Sequence, residues 1–79
     1  MIVTIGLYGI GMPLFRDLKD AIPPSEGDIY SPLENLDFRV TSRRWTSCLG
    51  GCLVRCIAID KATEATVERL IARGWQMLE

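Results

Sequence analysis

Two strand-like segments separated by a pair of glycines constrain the fold of this chain more than any other feature. Residues 37–46 (DFRVTSRRWT) and 52–59 (CLVRCIAI) are rich in β-branched and aromatic residues, which favour strands. Gly50 and Gly51 lie between them, and glycine suits a tight hairpin turn because it accepts positive φ angles. The sequence therefore predicts an antiparallel hairpin against which the rest of the chain must pack.

The N-terminal half predicts one strand, one helix and one ambiguous segment. Residues 2–8 (IVTIGLY) form a continuous apolar run that predicts a buried strand. Residues 13–22 place Pro13 at a first turn and apolar residues at helical spacing, which predicts a short helix. Residues 28–36 are consistent with a brief edge strand that Pro32 ends.

The C-terminal segment predicts a capped helix. Thr63 is a favourable N-cap for a helix over residues 64–73, and Gly74 stands where a glycine commonly ends a helix. Residues 75–79 (WQMLE) are consistent with a final short strand.

The resulting element order predicts an α+β fold. Strand, helix, strand, strand, helix and an optional last strand is the order of a ferredoxin-like sandwich. The prediction is a small antiparallel β-sheet with one or two helices on one face, ferredoxin-like or a curled variant of it. With 79 residues, the chain has room for a single domain, residues 1–79.

Composition and cysteine count predict a cytoplasmic protein. The chain is 48% hydrophobic and 24% charged, with a net charge of −1, a balance typical of folded proteins. No apolar run reaches the ~18 residues of a membrane span. The apolar N-terminus lacks the preceding positive charges and the cleavage site of a secretory signal. Three cysteines cannot all pair internally, which argues for a reducing compartment.

The cysteines are predicted to be small buried apolar residues. On a strand, Cys52 and Cys56 share a face about 13 Å apart, too far to hold one zinc ion at ~2.3 Å from each sulfur. Cys48 falls on the opposite face, and the chain has no histidine to complete a metal site. We therefore expect no metal and no cofactor, and a disulfide between Cys48 and Cys52 remains the minor alternative.

Strand alternation divides the predicted hairpin into two faces. The face predicted to enter the core comprises Phe38, Val40, Leu53, Ile57 and Ile59, with Arg44 and Arg55 nearer the turn. The face predicted to be open comprises Trp45, Cys52, Val54, Cys56 and Ala58, with Arg39 and Arg43.

Charge is distributed unevenly along the chain. Residues 38–59 carry four arginines and no acidic residue, whereas residues 1–37 carry six acidic residues and two basic ones. The predicted hairpin is therefore basic, whereas the segment that precedes it is acidic. Its charged and aromatic residues are the candidate partner-binding residues: Arg39, Arg43, Arg44, Trp45 and Arg55.

Catalysis is not expected. Without histidine the chain has no imidazole base and no Ser-His-Asp or Cys-His arrangement. The segment GLYGIGMP, residues 6–13, is G-x-x-G-x-G rather than a phosphate-binding fingerprint, and is read as a turn. The acidic pairs at 17/20 and 64/68 fit solvated helix faces, so we expect no enzyme.

The sequence favours a non-catalytic protein-binding module. Arginine and tryptophan are enriched among the residues that dominate protein interfaces. We expect the hairpin to dock on a larger host protein or complex, as small inhibitors or adaptors of phages and mobile elements do. The alternative is a nucleic-acid-binding module that uses the same residues, although a pI near 5.3 is low for that class. No membrane partner is expected, and self-association as a homodimer remains open.

Overall fold

A computed structural model describes residues 2–34, 36–46, 50–61 and 63–77. These residues are mostly β-structure with one short helix. The elements, in chain order, are β1 (Ile2–Tyr8), β2 (Leu14–Lys19), β3 (Ile29–Leu33), β4 (Leu36–Thr46), β5 (Gly51–Ala58), α1 (Glu64–Ala72) and β6 (Gln76–Met77).

The strands form one mixed six-stranded sheet in the order β3-β4-β5-β1-β2-β6. β1 and β5 are neighbours in the middle of the sheet and run parallel, with Val3 beside Cys52 and Leu7 beside Cys56. The other neighbouring pairs are antiparallel. α1 then carries the chain from β5 to β6 at the far edge.

The predicted ferredoxin-like arrangement is wrong. The sheet is mixed rather than antiparallel, and the segment predicted as the first helix contains β2, which pairs with β1 from Ile2/Lys19 to Leu7/Leu14. The physical reason is that Leu14 and Leu18 are four residues apart, a spacing that puts two side chains on one face of either a helix or a strand. Pairing with the apolar strand β1 decides in favour of the strand.

The hairpin and the second helix are confirmed. β4 and β5 pair antiparallel, although residues 47–49 of the tip lie outside the described residues. Thr63 is the N-cap of α1, and its hydroxyl accepts a hydrogen bond from the Thr66 amide. α1 ends at Ala72, and Gly74 has a φ of 104°, as its predicted position after the helix requires.

The core lies on one side of the sheet, here called the inner face, and the opposite side is called the outer face. Alternate residues of β1 and β5 are buried on the inner face, and residues from β2, β4 and the C-terminal segment complete it. The buried residues include Val3, Ile5, Leu7, Leu14, Phe38, Val40, Cys52, Val54, Cys56, Leu70 and Trp75.

The sheet is curled around this core. Tyr30 lies on the edge strand β3, and Trp75 directly precedes β6 at the other edge, yet their ring centroids are 6.3 Å apart at an interplanar angle of 69°. Edge-to-face packing of this kind is favourable. The curl thus encloses the inner face, and the outer face is left as the convex side of the sheet.

α1 is docked on the core by a small area. Leu70 is its buried residue, and Val67 packs partly against the core. Nowhere in the described ranges is a helix long and apolar enough to cross a bilayer.

Candidate functional site

A β-bulge in β4 determines which hairpin residues share a face. The register between β4 and β5 shifts between Val40, which is opposite Cys56, and Ser42, which is opposite Arg55. Thr41 is the extra residue, and its hydroxyl donates a hydrogen bond to the Arg55 carbonyl at 3.2 Å. One extra residue reverses the alternation of side chains beyond it.

The predicted division of the hairpin into two faces is wrong. In β5 the buried apolar side chains are those of Cys52, Val54 and Cys56, with at most 2% of their surface exposed, whereas Leu53 and Ile57 are 39% and 46% exposed. The parallel neighbour explains this, because β1 places its own buried residues beside the cysteines and the valine. The larger aliphatic residues of β5 therefore point to the outer face.

Cys52 and Cys56 are free and buried, which confirms the prediction that they serve as small apolar residues. Burial raises the pKa of the Cys56 thiol to about 11, so its reactive thiolate form is scarce at neutral pH. Cys48 lies outside the described residues. The part of the chain that the structure describes contains no cluster of carboxylates and thiols that would bind a metal ion.

Five residues of the outer face form a continuous surface, here called the outer patch: Arg39, Arg44, Leu53, Arg55 and Ile57. Arg39 is directly opposite Ile57, and Arg44 is directly opposite Leu53, so each arginine has an aliphatic neighbour about 5 Å away across the strands. All five are exposed. Cationic and aliphatic side chains therefore alternate on one open sheet surface.

An aromatic cluster borders the outer patch. Tyr8 and Phe15 pack edge to face over Gly6, with ring centroids 5.9 Å apart. A Cβ at Gly6 would lie 2.9 Å from Phe15 Cε1 and 3.0 Å from Tyr8 Cε2, so the glycine makes room for both rings. The Arg55 guanidinium carbon lies 4.9 Å from the Tyr8 ring centroid. This contact holds Arg55 between the cluster and the aliphatic residues.

Arg43 and Trp45 lie elsewhere. Beyond the bulge they are opposite Val54 and Cys52, on the inner side of the sheet and past the core. The Arg43 guanidinium carbon is 5.7 Å from the centroid of the Trp45 ring, and its Nη1 donates to Ser25 Oγ at 3.5 Å. Trp45 is 56% exposed. The structure therefore brings Arg39, Arg44 and Arg55 to one face and puts Trp45 on the other. Arg43 alternates away from the three arginines but still borders a depression of about 330 Å³ beside Arg44 and Arg55.

Sequence reasoning missed the apolar half of this surface. Leu53 and Ile57 were assigned to the core, and Tyr8 and Phe15 were assigned to a buried strand and a helix. The one local signal is Gly6, since a glycine inside an otherwise apolar strand often marks a close approach of other groups.

Comparison of the chain with known protein families, with functionally characterised proteins and with solved structures finds no match. Any functional conclusion therefore depends on the geometry of the surfaces themselves.

Proposed function

We propose that this chain is a non-catalytic protein-binding module whose outer patch docks on a partner protein that presents carboxylates beside apolar side chains. The observation that carries the proposal is the alternation of Arg39, Arg44 and Arg55 with the exposed side chains of Leu53 and Ile57. Within the described ranges, neither Arg39 nor Arg44 has an acidic partner. Guanidinium groups bind carboxylates through two parallel hydrogen bonds.

The aliphatic side chains of the outer patch favour a protein partner over a nucleic acid. Single-stranded nucleic acids stack their bases on open aromatic faces, but Tyr8 already has Arg55 against its ring and Phe15 at its edge. Leu53 and Ile57 offer no stacking surface. Apolar residues flanked by arginines resemble instead the buried centre and polar rim of a protein interface.

The chain's chemistry favours binding rather than catalysis. It contains no histidine, and the thiols of Cys52 and Cys56 are buried, so neither is presented to a substrate. Free thiols are typical of a reducing compartment, which supports a cytoplasmic site of action. A small binding domain of this kind acts as a stoichiometric inhibitor or as an adaptor.

Site-specific photo-crosslinking tests the proposal. The photo-reactive residue p-benzoylphenylalanine is placed at position 53 in the outer patch and, as a control, at position 22, where Ile22 is 93% exposed in the β2–β3 connection. Irradiation in cells, followed by nuclease treatment, is expected to yield a discrete protein adduct from position 53 and none from position 22.

Charge reversal provides the matched control. Arg44→Glu in the outer patch is expected to abolish the adduct, whereas Arg69→Glu on α1 changes the net charge equally and leaves the adduct intact. An adduct that disappears on nuclease treatment would identify a nucleic acid partner and reject the proposal. Equal adducts from positions 53 and 22, or equal loss in the two charge variants, would also reject it.

A further inference from the structure

A groove separate from the outer patch lies where α1 meets the β1–β2 turn. It has a volume of about 610 Å³, within the range of roughly 300–1,000 Å³ that is usual for binding sites. It is here called the methionine groove. Its apolar lining comprises Ile10, Met12, Val67, Ile71 and Met77.

The β1–β2 turn supplies one wall. Gly9 and Gly11 have φ angles of 83° and 93°, a conformation that residues with a Cβ rarely adopt. Ile10, between the two glycines, packs into the core with 8% of its surface exposed. Met12, which follows Gly11, is 43% exposed at the groove.

α1 and β6 supply the other walls. On α1 the lining residues Glu64, Val67, Glu68 and Ile71 recur at helical spacing and therefore share one stripe. Met77 of β6 is paired with Leu14 of β2, which fixes its position beside the turn.

The shape of the groove fits the side chains of a peptide better than an enclosed small molecule. Met12, Ile71 and Met77 are 43%, 40% and 53% exposed, whereas small-molecule sites enclose about 70–90% of their ligand. Methionine side chains are flexible and polarisable, and they are frequent on surfaces that accept varied apolar partners. Two exposed methionines and one exposed isoleucine around one depression indicate a docking surface.

The charged residues at the rim of the methionine groove indicate the charge of the ligand that would bind there. Among the described residues of the lining, Glu64 and Glu68 stand on the α1 wall and Lys61 is the single basic residue, so this part of the rim is net acidic. Arg69 and Arg73 do not line the groove. A complementary ligand therefore carries Lys or Arg beside its apolar residues.

From this geometry we propose that the methionine groove binds an amphipathic, basic segment of a second partner protein, whose apolar side chains enter the groove while its cations meet Glu64 and Glu68. Apolar anchors in a hydrophobic groove are a recurrent mode of peptide recognition. The groove shares no residue with the outer patch, so this proposal stands or falls independently of the proposed function. If both hold, the chain joins an acidic partner to a basic one.

Selection from a displayed library of random dodecapeptides tests the proposal. Peptides enriched on the wild-type protein are expected to combine Leu, Ile, Met or Phe at three- or four-residue spacing with Lys or Arg. Their affinity should fall roughly tenfold or more in Met12→Asp, as expected for an interface anchor. It should fall roughly threefold for each of Glu64→Gln and Glu68→Gln, the size of an exposed ion pair.

Controls separate this result from unfolding and from self-association. Leu53→Asp in the outer patch should bind the selected peptides as the wild type does, and Ile71→Asp repeats the groove test should Met12→Asp fail to fold by circular dichroism. Failure to enrich peptides that carry Lys or Arg, or equal affinity of such peptides for the wild type and the groove variants, would overturn the proposal. So would a dimer in sedimentation that Met12→Asp dissociates, because the occupant is then a second copy of the chain.

Discussion

Alkaline pH provides a direct test of whether Cys56 is a buried apolar residue. Its side chain is fully buried, and burial raises the pKa of its thiol from 9.0 to about 11. In the unfolded chain the thiol loses its proton above pH 9, whereas the folded protein retains it up to about pH 11. Unfolding therefore releases a proton in this window, and raising the pH favours the unfolded state.

The size of this loss of stability follows from the shift in the pKa of Cys56. Each pKa unit corresponds to about 1.4 kcal/mol, so Cys56 removes about 2–3 kcal/mol from the free energy of unfolding between pH 9 and pH 11. Cys56→Ala has no thiol and lacks this loss, but it leaves a small cavity that costs about 1 kcal/mol. The wild type should be more stable at pH 7, and the two stability curves should cross near pH 10.

Urea unfolding followed by circular dichroism, repeated from pH 7 to pH 11, measures both curves. A difference of 1 kcal/mol moves the midpoint by about 0.3–1 M urea. Burial also raises the pKa of Tyr30, an effect that Arg16 partly offsets and that the charge of the Cys56 thiolate increases. Because Cys56→Ala would change the Tyr30 titration as well, both proteins are compared in a Tyr30→Phe background. As a second readout, native Cys56 should react with a thiol reagent at pH 8 about 100-fold more slowly than an unshifted thiol.

Parallel pH curves for the wild type and Cys56→Ala would refute this reasoning, since they would mean that the thiol ionises equally in the folded and unfolded states. Rapid labelling of the native protein would do the same. The kinetic measurement is made with Cys48→Ser/Cys52→Ala, so that Cys56 is the one remaining thiol.

Three further perturbations have defined outcomes. Gly6→Ala should displace the rings of Tyr8 and Phe15 and cost about 1 kcal/mol, seen as a fall of about 4–8 °C in a thermal melt; an unchanged Tm would show that the rings yield freely. Trp45→Ala should change the unfolding free energy by less than about 0.5 kcal/mol, and a large loss by urea titration would place the indole in the core. Thr63→Ala should destabilise α1 by about 1 kcal/mol, which faster hydrogen exchange of the α1 amides would register while β1 and β5 keep their protection.

Local signals in the sequence predict several elements correctly. Thr63 and Gly74 correctly predict the start and the end of α1, because helix caps depend on residues that are close together in the sequence. The apolar run at 2–8 predicts β1 because a strand buried in mid-sheet needs little polar surface. β2 was mistaken for a helix because Leu14 and Leu18 fit both periods, and only the neighbouring strand β1 distinguishes them.

The candidate surface depended on information that is not local. Thr41 looks like any strand residue, yet as a bulge it moves Arg43 and Trp45 to the other side of the sheet from Arg39 and brings Arg44 to the same side as Arg39. The parallel pairing of β1 with β5 decides that the smaller residues of β5 are buried and that Leu53 and Ile57 are exposed. Neither the bulge nor the partner strand leaves a periodic pattern in the hairpin itself.

The parallel pair at the centre of the sheet also sets the order in which the chain can fold. β1 pairs with β2 within the first 19 residues, but its other neighbour joins only when Val3 meets Cys52. Closing so long a segment is slow compared with forming hairpins. During synthesis the edge of β1 that will pair with β5 therefore stays unpaired until β5 has left the ribosome. In that interval the nascent chain is most exposed to strand-mediated aggregation.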